Sequence, residues 1–196
     1  GTVFKGTSWK RINGKRYYIK NGIALTGWHY VGNYKYYFRK DTAKLSQDLI
    51  ALQGSKWKKA DLMIKVNRTN NLVTIYAKDG NKGYTIPVKA LTCSVGKKKS
   101  PTITGTYTMK WGSGLTYRWH TLGGPGISPY CYGQYCVRIH KSWLFHSVTY
   151  DEPDKMTLQT YTYNQLGTAA SHGCVRLQVK DAKLIYEIVK NRNTKV

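Results

Sequence analysis

Ser171-His172-Gly173-Cys174-Val175-Arg176 puts a hydroxyl, an imidazole, a glycine, a thiol and a guanidinium within six residues. A thiol reacts as its thiolate, and a free cysteine with a pKa near 8.5 is only about 3% ionised at neutral pH. His172 and Arg176 stand two residues to either side of Cys174 and are the kind of neighbour that favours the anion. Gly173, lacking a Cβ, is free to take a positive φ and so turn backbone N–H groups toward one point. A turn of that kind offers a nucleophile beside a hole for an oxyanion. Cysteine is also a common small buried hydrophobe, and a histidine beside it can be coincidence. The residues further out decide between the two readings.

The string runs on into Leu177, and two upstream stretches accompany it. One is Pro101-Thr102-Ile103-Thr104-Gly105-Thr106-Tyr107; the other is Phe145-His146-Ser147. Together they resemble the L,D-transpeptidases, the YkuD-type catalytic domain of bacterial cell-wall enzymes. The first string resembles that family's active-site signature, the second its threonine, proline and glycine lead-in to a strand, and the third the strand carrying its general-base histidine. The resemblance covers residues 61–196. It implies a mainly β fold, a YkuD-like β-sandwich with a C-terminal helix.

What the resemblance implies for chemistry is acyl transfer on peptidoglycan. Cys174 would attack the carbonyl between the third stem residue and the terminal D-alanine of a tetrapeptide donor, with His146 as base. An amine of a neighbouring stem would then capture the thioester and close a 3→3 cross-link, while water would give L,D-carboxypeptidase action. Ser147 would orient His146, and the N–H groups of Gly173 and Cys174 would hold the oxyanion. Arg176 would bind a stem carboxylate or brace the turn; Ser171 and His172 would shape the pocket, His172 being a second candidate base. His146 ranks ahead of His140 and His120. The family also implies acylation of Cys174 by carbapenems, no cofactor and no metal.

Composition narrows the partners. The 196 residues carry 32 Lys+Arg against 9 Asp+Glu, a formal net charge of +23. Such a surface attracts polyanions. Nucleic acid is the first to consider, but the lysines are scattered and no zinc-finger, helix-turn-helix or RNP signature occurs. Anionic cell-wall polymers account for the charge without nucleic acid. No apolar run approaches the roughly 18 residues of a membrane span. A terminus without Met or signal peptide fits a trimmed piece of a secreted parent, hence an extracellular, wall-associated bacterial protein.

Four cysteines stand at 93, 131, 136 and 174. Cys131 and Cys136 could close a small disulfide across a loop or remain free. With His140 they could supply three zinc ligands, but no second cysteine pair supports a metal site. Cys93, inside Ala90-Leu91-Thr92-Cys93-Ser94-Val95, reads as a buried strand residue.

The first 45 residues hold a repeat. Trp9-Lys10-Arg11-Ile12-Asn13-Gly14-Lys15-Arg16-Tyr17-Tyr18-Ile19 realigns, 19 residues on, with Trp28-His29-Tyr30-Val31-Gly32-Asn33-Tyr34-Lys35-Tyr36-Tyr37-Phe38. Asn13-Gly14 and Gly32-Asn33 are hairpin turns between aromatic runs. A lone two-stranded hairpin is unstable, so the units must stack. They resemble cell-wall-binding repeats of the choline-binding type, except that Arg16 and Lys35 stand where an aromatic commonly completes the cage, and a cation there repels choline. The expected organisation is therefore hairpin repeats at 1–45, a linker at 46–60 and the catalytic domain at 61–196. Beyond the linker, strands are expected at 62–66, 72–76 and 84–88, at 137–140 and at 143–146. Residues 111–136, rich in Gly and Pro including Gly123-Gly124-Pro125-Gly126, read as a long loop in which Trp119, His120 and Tyr130 could face substrate. The polar stretch 149–169 reads as an insertion. The chain ends in a helix with Ala182, Ile185, Tyr186 and Val189 on one face.

Three function classes follow: a cysteine transpeptidase on peptidoglycan, a non-catalytic wall-binding protein, and a sortase-like cysteine transpeptidase acting on protein.

Overall fold

The computed structural model describes residues 4–58, 60–123 and 130–196. The chain divides into two compact units, Gly1–Asp61 with Ile75–Lys89, and Leu62–Thr74 with Ala90–Val196.

In the first unit the two sequence repeats are two hairpins. Strands β1 (Ser8–Ile12) and β2 (Lys15–Lys20) form one, extended by β3 (Ile23–Ala24); β4 (Gly27–Val31) and β5 (Tyr34–Phe38) form the other. Trp9 pairs with Tyr18 and Trp28 with Tyr37, so the 19-residue offset is kept in the register. The hairpins stack through their aromatic rings. Trp9 meets Tyr18 and Tyr36 edge-on at 5.2 Å each, and lies 5.9 Å from Phe38, which is fully buried. Each aromatic pair of this kind adds about 0.5–1.5 kcal/mol beyond area burial. Residues 46–60, expected as a linker, hold a short helix α1 (Leu49–Gln53) and a 3-10 turn at Gly54–Lys58. Asp48 caps α1 by accepting from the Ala51 N–H at 2.9 Å, and its other oxygen binds Lys89 Nζ at 2.6 Å.

The second unit is built on a sheet. Its strands are β6 (Leu62–Asn67), β7 (Leu72–Ala77), β8 (Ile86–Ser94), β9 (Thr108–Met109), β10 (Thr116–Leu122), β11 (Cys131–His140), β12 (Trp143–Ser147), β13 (Val175–Leu177) and β14 (Thr194–Lys195). They lie in the order β10-β11-β12-β13-β8-β7-β6-β14-β9, and β7 and β8 each have residues in both units. Between β12 and β13 come a short helix α2 (Thr160–Asn164) and its flanking turns; after β13 comes α3 (Val179–Asn191). Ala182, Ile185 and Val189, on one face of α3, are fully buried, as are Val137, Phe145, Val175 and Leu177 from the sheet. Burying each such Ile, Val or Leu contributes roughly 1.5–3 kcal/mol. Asp181 sits in the first turn of α3, where the helix dipole favours a carboxylate. The expected mainly β fold with a C-terminal helix behind hairpin repeats is the fold observed.

Two stretches differ from the sequence reading. Residues 116–122 and 131–136 are not loop but strand, β10 pairing antiparallel with β11. Glycine and aromatics there disguise a strand whose Gln134, Tyr135 and Cys136 are buried; Gly124-Pro125-Gly126 falls outside the described residues. Residues 101–107 are irregular backbone that leads into β9 at Thr108. Cys131 and Cys136 pair with Leu122 and Tyr117, five register steps apart along β10, about 16 Å, too far for a disulfide. Both are free.

Candidate active site

His146 comes from β12, four of whose five residues are buried, and is itself 2% exposed. Its Nδ1 lies 2.6 Å from the Ser147 carbonyl oxygen. A carbonyl only accepts, so Nδ1 carries the hydrogen and Nε2 keeps its lone pair. The Ser147 hydroxyl is occupied elsewhere, accepting from the Gln134 N–H at 2.9 Å and donating to the Val148 carbonyl at 2.6 Å. Gly133 lies against the ring: a Cβ there would stand 3.1 Å from both Cβ and Nδ1 of His146. The imidazole is thus packed from a neighbouring strand by a residue with no side chain.

β12 and β13 run parallel with His146 opposite Arg176. Residues level on adjacent strands project to the same face, about 4.8 Å apart. Burial first, and the Arg176 charge second, push the His146 pKa down to about 3. The ring is a neutral base throughout the physiological range. Arg176 is half-buried, and its Nε is buried with no hydrogen-bond partner among the described residues.

Cys174 precedes β13 directly. Its Sγ–H donates to the Ser142 carbonyl at 3.7 Å. Burial raises the thiol pKa, while the Leu144 N–H and the Arg176 and Arg138 charges pull against that rise. The resting pair is therefore neutral thiol and neutral imidazole.

The turn carrying Cys174 is braced by hydroxyls. Ser171 Oγ accepts from the Gly173 N–H at 3.1 Å and donates to the Cys174 carbonyl at 2.6 Å. Gly173 has φ 121°, a conformation L side chains avoid, and a Cβ there would lie 3.0 Å from Trp143 Nε1. The Gly173 carbonyl accepts from Thr102 Oγ1 at 2.7 Å, and that oxygen accepts from the Gly96 N–H at 2.8 Å.

His146, Cys174, Arg176, Ser171 and His172 line one cavity of about 350 Å³, together with His120, Arg138 and Cys131. None of the described residues lining it is Asp or Glu. Gly173 and Ser147, although next in sequence to lining residues, are not among the residues that line it. His140 lies outside it, stacked on Tyr107 at 4.9 Å. Trp119 packs edge-on against Tyr150 at 5.0 Å, and Tyr130 is exposed. Sequence reasoning missed Thr102, Gly96, Gly133 and Arg138. Gly133 carried a signal, since glycine inside a strand marks close approach; the others carried none of their own.

Three comparisons bear on this geometry. Residues 61–196 match the family model of the YkuD L,D-transpeptidase catalytic domain. The putative L,D-transpeptidase YciB of Bacillus subtilis is 46% identical over 57 residues, 29% of this chain and 28% of that protein. LD transpeptidase LdtMt1 in complex with imipenem superposes with a TM-score of 0.52 at 18% identity, over 70% of this chain and 59% of that one. An L,D-transpeptidase from Mycobacterium smegmatis gives 0.52 at 20% identity, over 69% and 58%. The chain spans less than two thirds of the length of each of these relatives, and at such identities the two structures speak for the fold alone. With the family match covering well over half of its residues, the chain belongs to the L,D-transpeptidase family as a bearer of the YkuD catalytic domain.

Proposed function

We propose that this protein is a peptidoglycan L,D-transpeptidase that forms 3→3 cross-links through a thioester on Cys174. The observation that carries the reading is the shared cavity, lined by a neutral imidazole with its Nε2 lone pair, a thiol and a guanidinium whose Nε has no partner among the described residues, none of the described lining residues being a carboxylate. His146 Nε2 takes the thiol proton as Sγ attacks the donor carbonyl. The C–S bond forms, the C–N bond to D-alanine breaks, and His146 returns the proton to the leaving amine. A second stem's amine then attacks the thioester, gives its proton to His146, and the thiol is regenerated. Water in place of that amine completes a carboxypeptidase cycle. Arg176, with Nε unpaired, is the partner for a stem carboxylate.

The hairpin unit serves as a wall-binding module in this reading. Its ligand is anionic rather than a quaternary ammonium, because Lys35 and Lys56 already stand 5.9 and 5.7 Å from the Trp28 ring centre, where a ligand cation would sit. The protein then works outside the cytoplasm, at the wall.

The test is mass spectrometry of muropeptides after incubation with purified disaccharide tetrapeptide. Dimers joined 3→3 and released D-alanine are expected, with Cys174→Ala reducing both about 10³-fold or more. Unchanged processing by Cys174→Ala would end the enzyme reading and leave a wall-binding protein.

A further inference from the structure

We infer that Thr102 is a positioning residue that aims the Cys174 N–H at the reacting oxyanion; the inference rests on the thioester reading above. A threonine hydroxyl has one hydrogen to give and lone pairs to accept with. Thr102 is 3% exposed, and its Oγ1 receives the Gly96 N–H at 2.8 Å. Its single hydrogen goes to the Gly173 carbonyl at 2.7 Å. Both directions are forced, since an N–H only donates and a carbonyl only accepts. Thr102 is itself held, its own carbonyl accepting from Arg68 Nη1 at 2.5 Å.

The consequence follows from peptide planarity. The Gly173 carbonyl and the Cys174 N–H belong to one trans peptide and point opposite ways. Fixing the carbonyl on Thr102 therefore fixes the N–H toward the other side of the turn. Gly173 would otherwise be the residue most free to rotate that peptide, because at φ 121° no Cβ restrains it. The neighbouring donor is already engaged: the Gly173 N–H is bound to Ser171 Oγ. The oxyanion then relies on the Cys174 N–H, and its direction on a hydroxyl 71 residues upstream.

Two reactions of the same sulfur separate this role from a merely structural one. Acylation by a tetrapeptide passes through an oxyanion, whereas alkylation by iodoacetamide is a direct displacement at carbon and forms none. In Thr102→Val, acylation is expected to slow about tenfold to a hundredfold, less than the roughly 10²–10³-fold loss seen when an oxyanion donor is removed outright. KM is expected to stay put, and the alkylation rate of Cys174 to stay within about twofold of wild type. Thr102→Ser keeps the hydroxyl and should restore acylation to within about threefold; it also decides the matter if the valine variant does not fold. Equal acylation by wild type and Thr102→Val, a parallel loss of acylation and alkylation, or a serine variant as slow as valine would each overturn the inference. A wild-type protein that is alkylated at Cys174 but never acylated would instead overturn the thioester reading, and this inference with it.

Discussion

The turns at Gly14 and Gly173 both need a positive φ, 73° and 121°, yet they are held in different ways. Gly14 joins β1 to β2, and everything that fixes it lies within a few residues: Asn13 beside it at φ 47°, then the in-register pair Ile12 and Lys15. Gly173 is fixed by residues from elsewhere in the chain, Thr102 on its carbonyl and Trp143 facing its Cα, with only Ser171 close in sequence. A turn made from its own neighbours tolerates change, because little else depends on it. A turn assembled from distant strands passes any disturbance to the group it carries.

His146 gives the hardest test of that difference, since it too is set by distant contacts. Replacing it with glutamine is expected to lower turnover about 10²–10⁴-fold, the usual worth of a positioned base. The same substitution has a signature in stability. In the unfolded chain an imidazole binds its proton near pH 6.5, whereas in the fold it does so only at about 3. Between those values the unfolded state holds the extra proton, so stability is fully present above about pH 6.5 and is lost as pH falls toward 3. Thermal melts between pH 7 and 4 should show that decline in the wild type and a shallower one in His146→Gln. Parallel declines would mean the ring is protonated in the fold, and the neutral-base reading would fail.

Gly173→Ala comes next. The new methyl would meet Trp143 Nε1 at 3.0 Å on a backbone that L residues seldom adopt, costing about 1–3 kcal/mol. Any shift of the turn moves Cys174, and about 1 Å of misplacement is worth roughly a hundredfold in rate. Activity should therefore drop much more than the melting temperature. A variant that loses stability but keeps wild-type turnover would show that the turn does not govern the thiol.

The same contrast explains what could be read in advance. The hairpins, the strands at 62–66 and 72–76 and the final helix announce themselves by local alternation, turn residues and an i, i+3, i+7 face. The Cys174 turn and the β12 histidine stand out in the sequence through the family resemblance that residues 171–177 and Phe145-His146-Ser147 carry, not through local composition alone. β10 and the start of β11 were not, because Gly133, Cys131 and the tyrosines around them break the alternation that a strand normally shows. Thr102 lies within a recognisable stretch yet shows no task there. Its task is a hydrogen bond across 71 residues, and nothing in local composition encodes which carbonyl a threonine will find.

Gly14→Ala is the smallest effect and the sharpest counterpart to Gly173→Ala. No atom of the described residues lies within 4 Å of a Cβ built at Gly14, so the substitution meets the backbone penalty of a positive φ. That penalty is about 1 kcal/mol for a single residue. The expected outcome is a melting temperature lowered by a few degrees, with cross-linking of purified tetrapeptide substrate unchanged. The two alanines thus differ by one observable, turnover, although each replaces a glycine of positive φ with the same side chain. If Gly14→Ala also reduced turnover on that soluble substrate, a change in the hairpin unit would reach the chemistry, and the separation between locally and distantly held turns would no longer follow function.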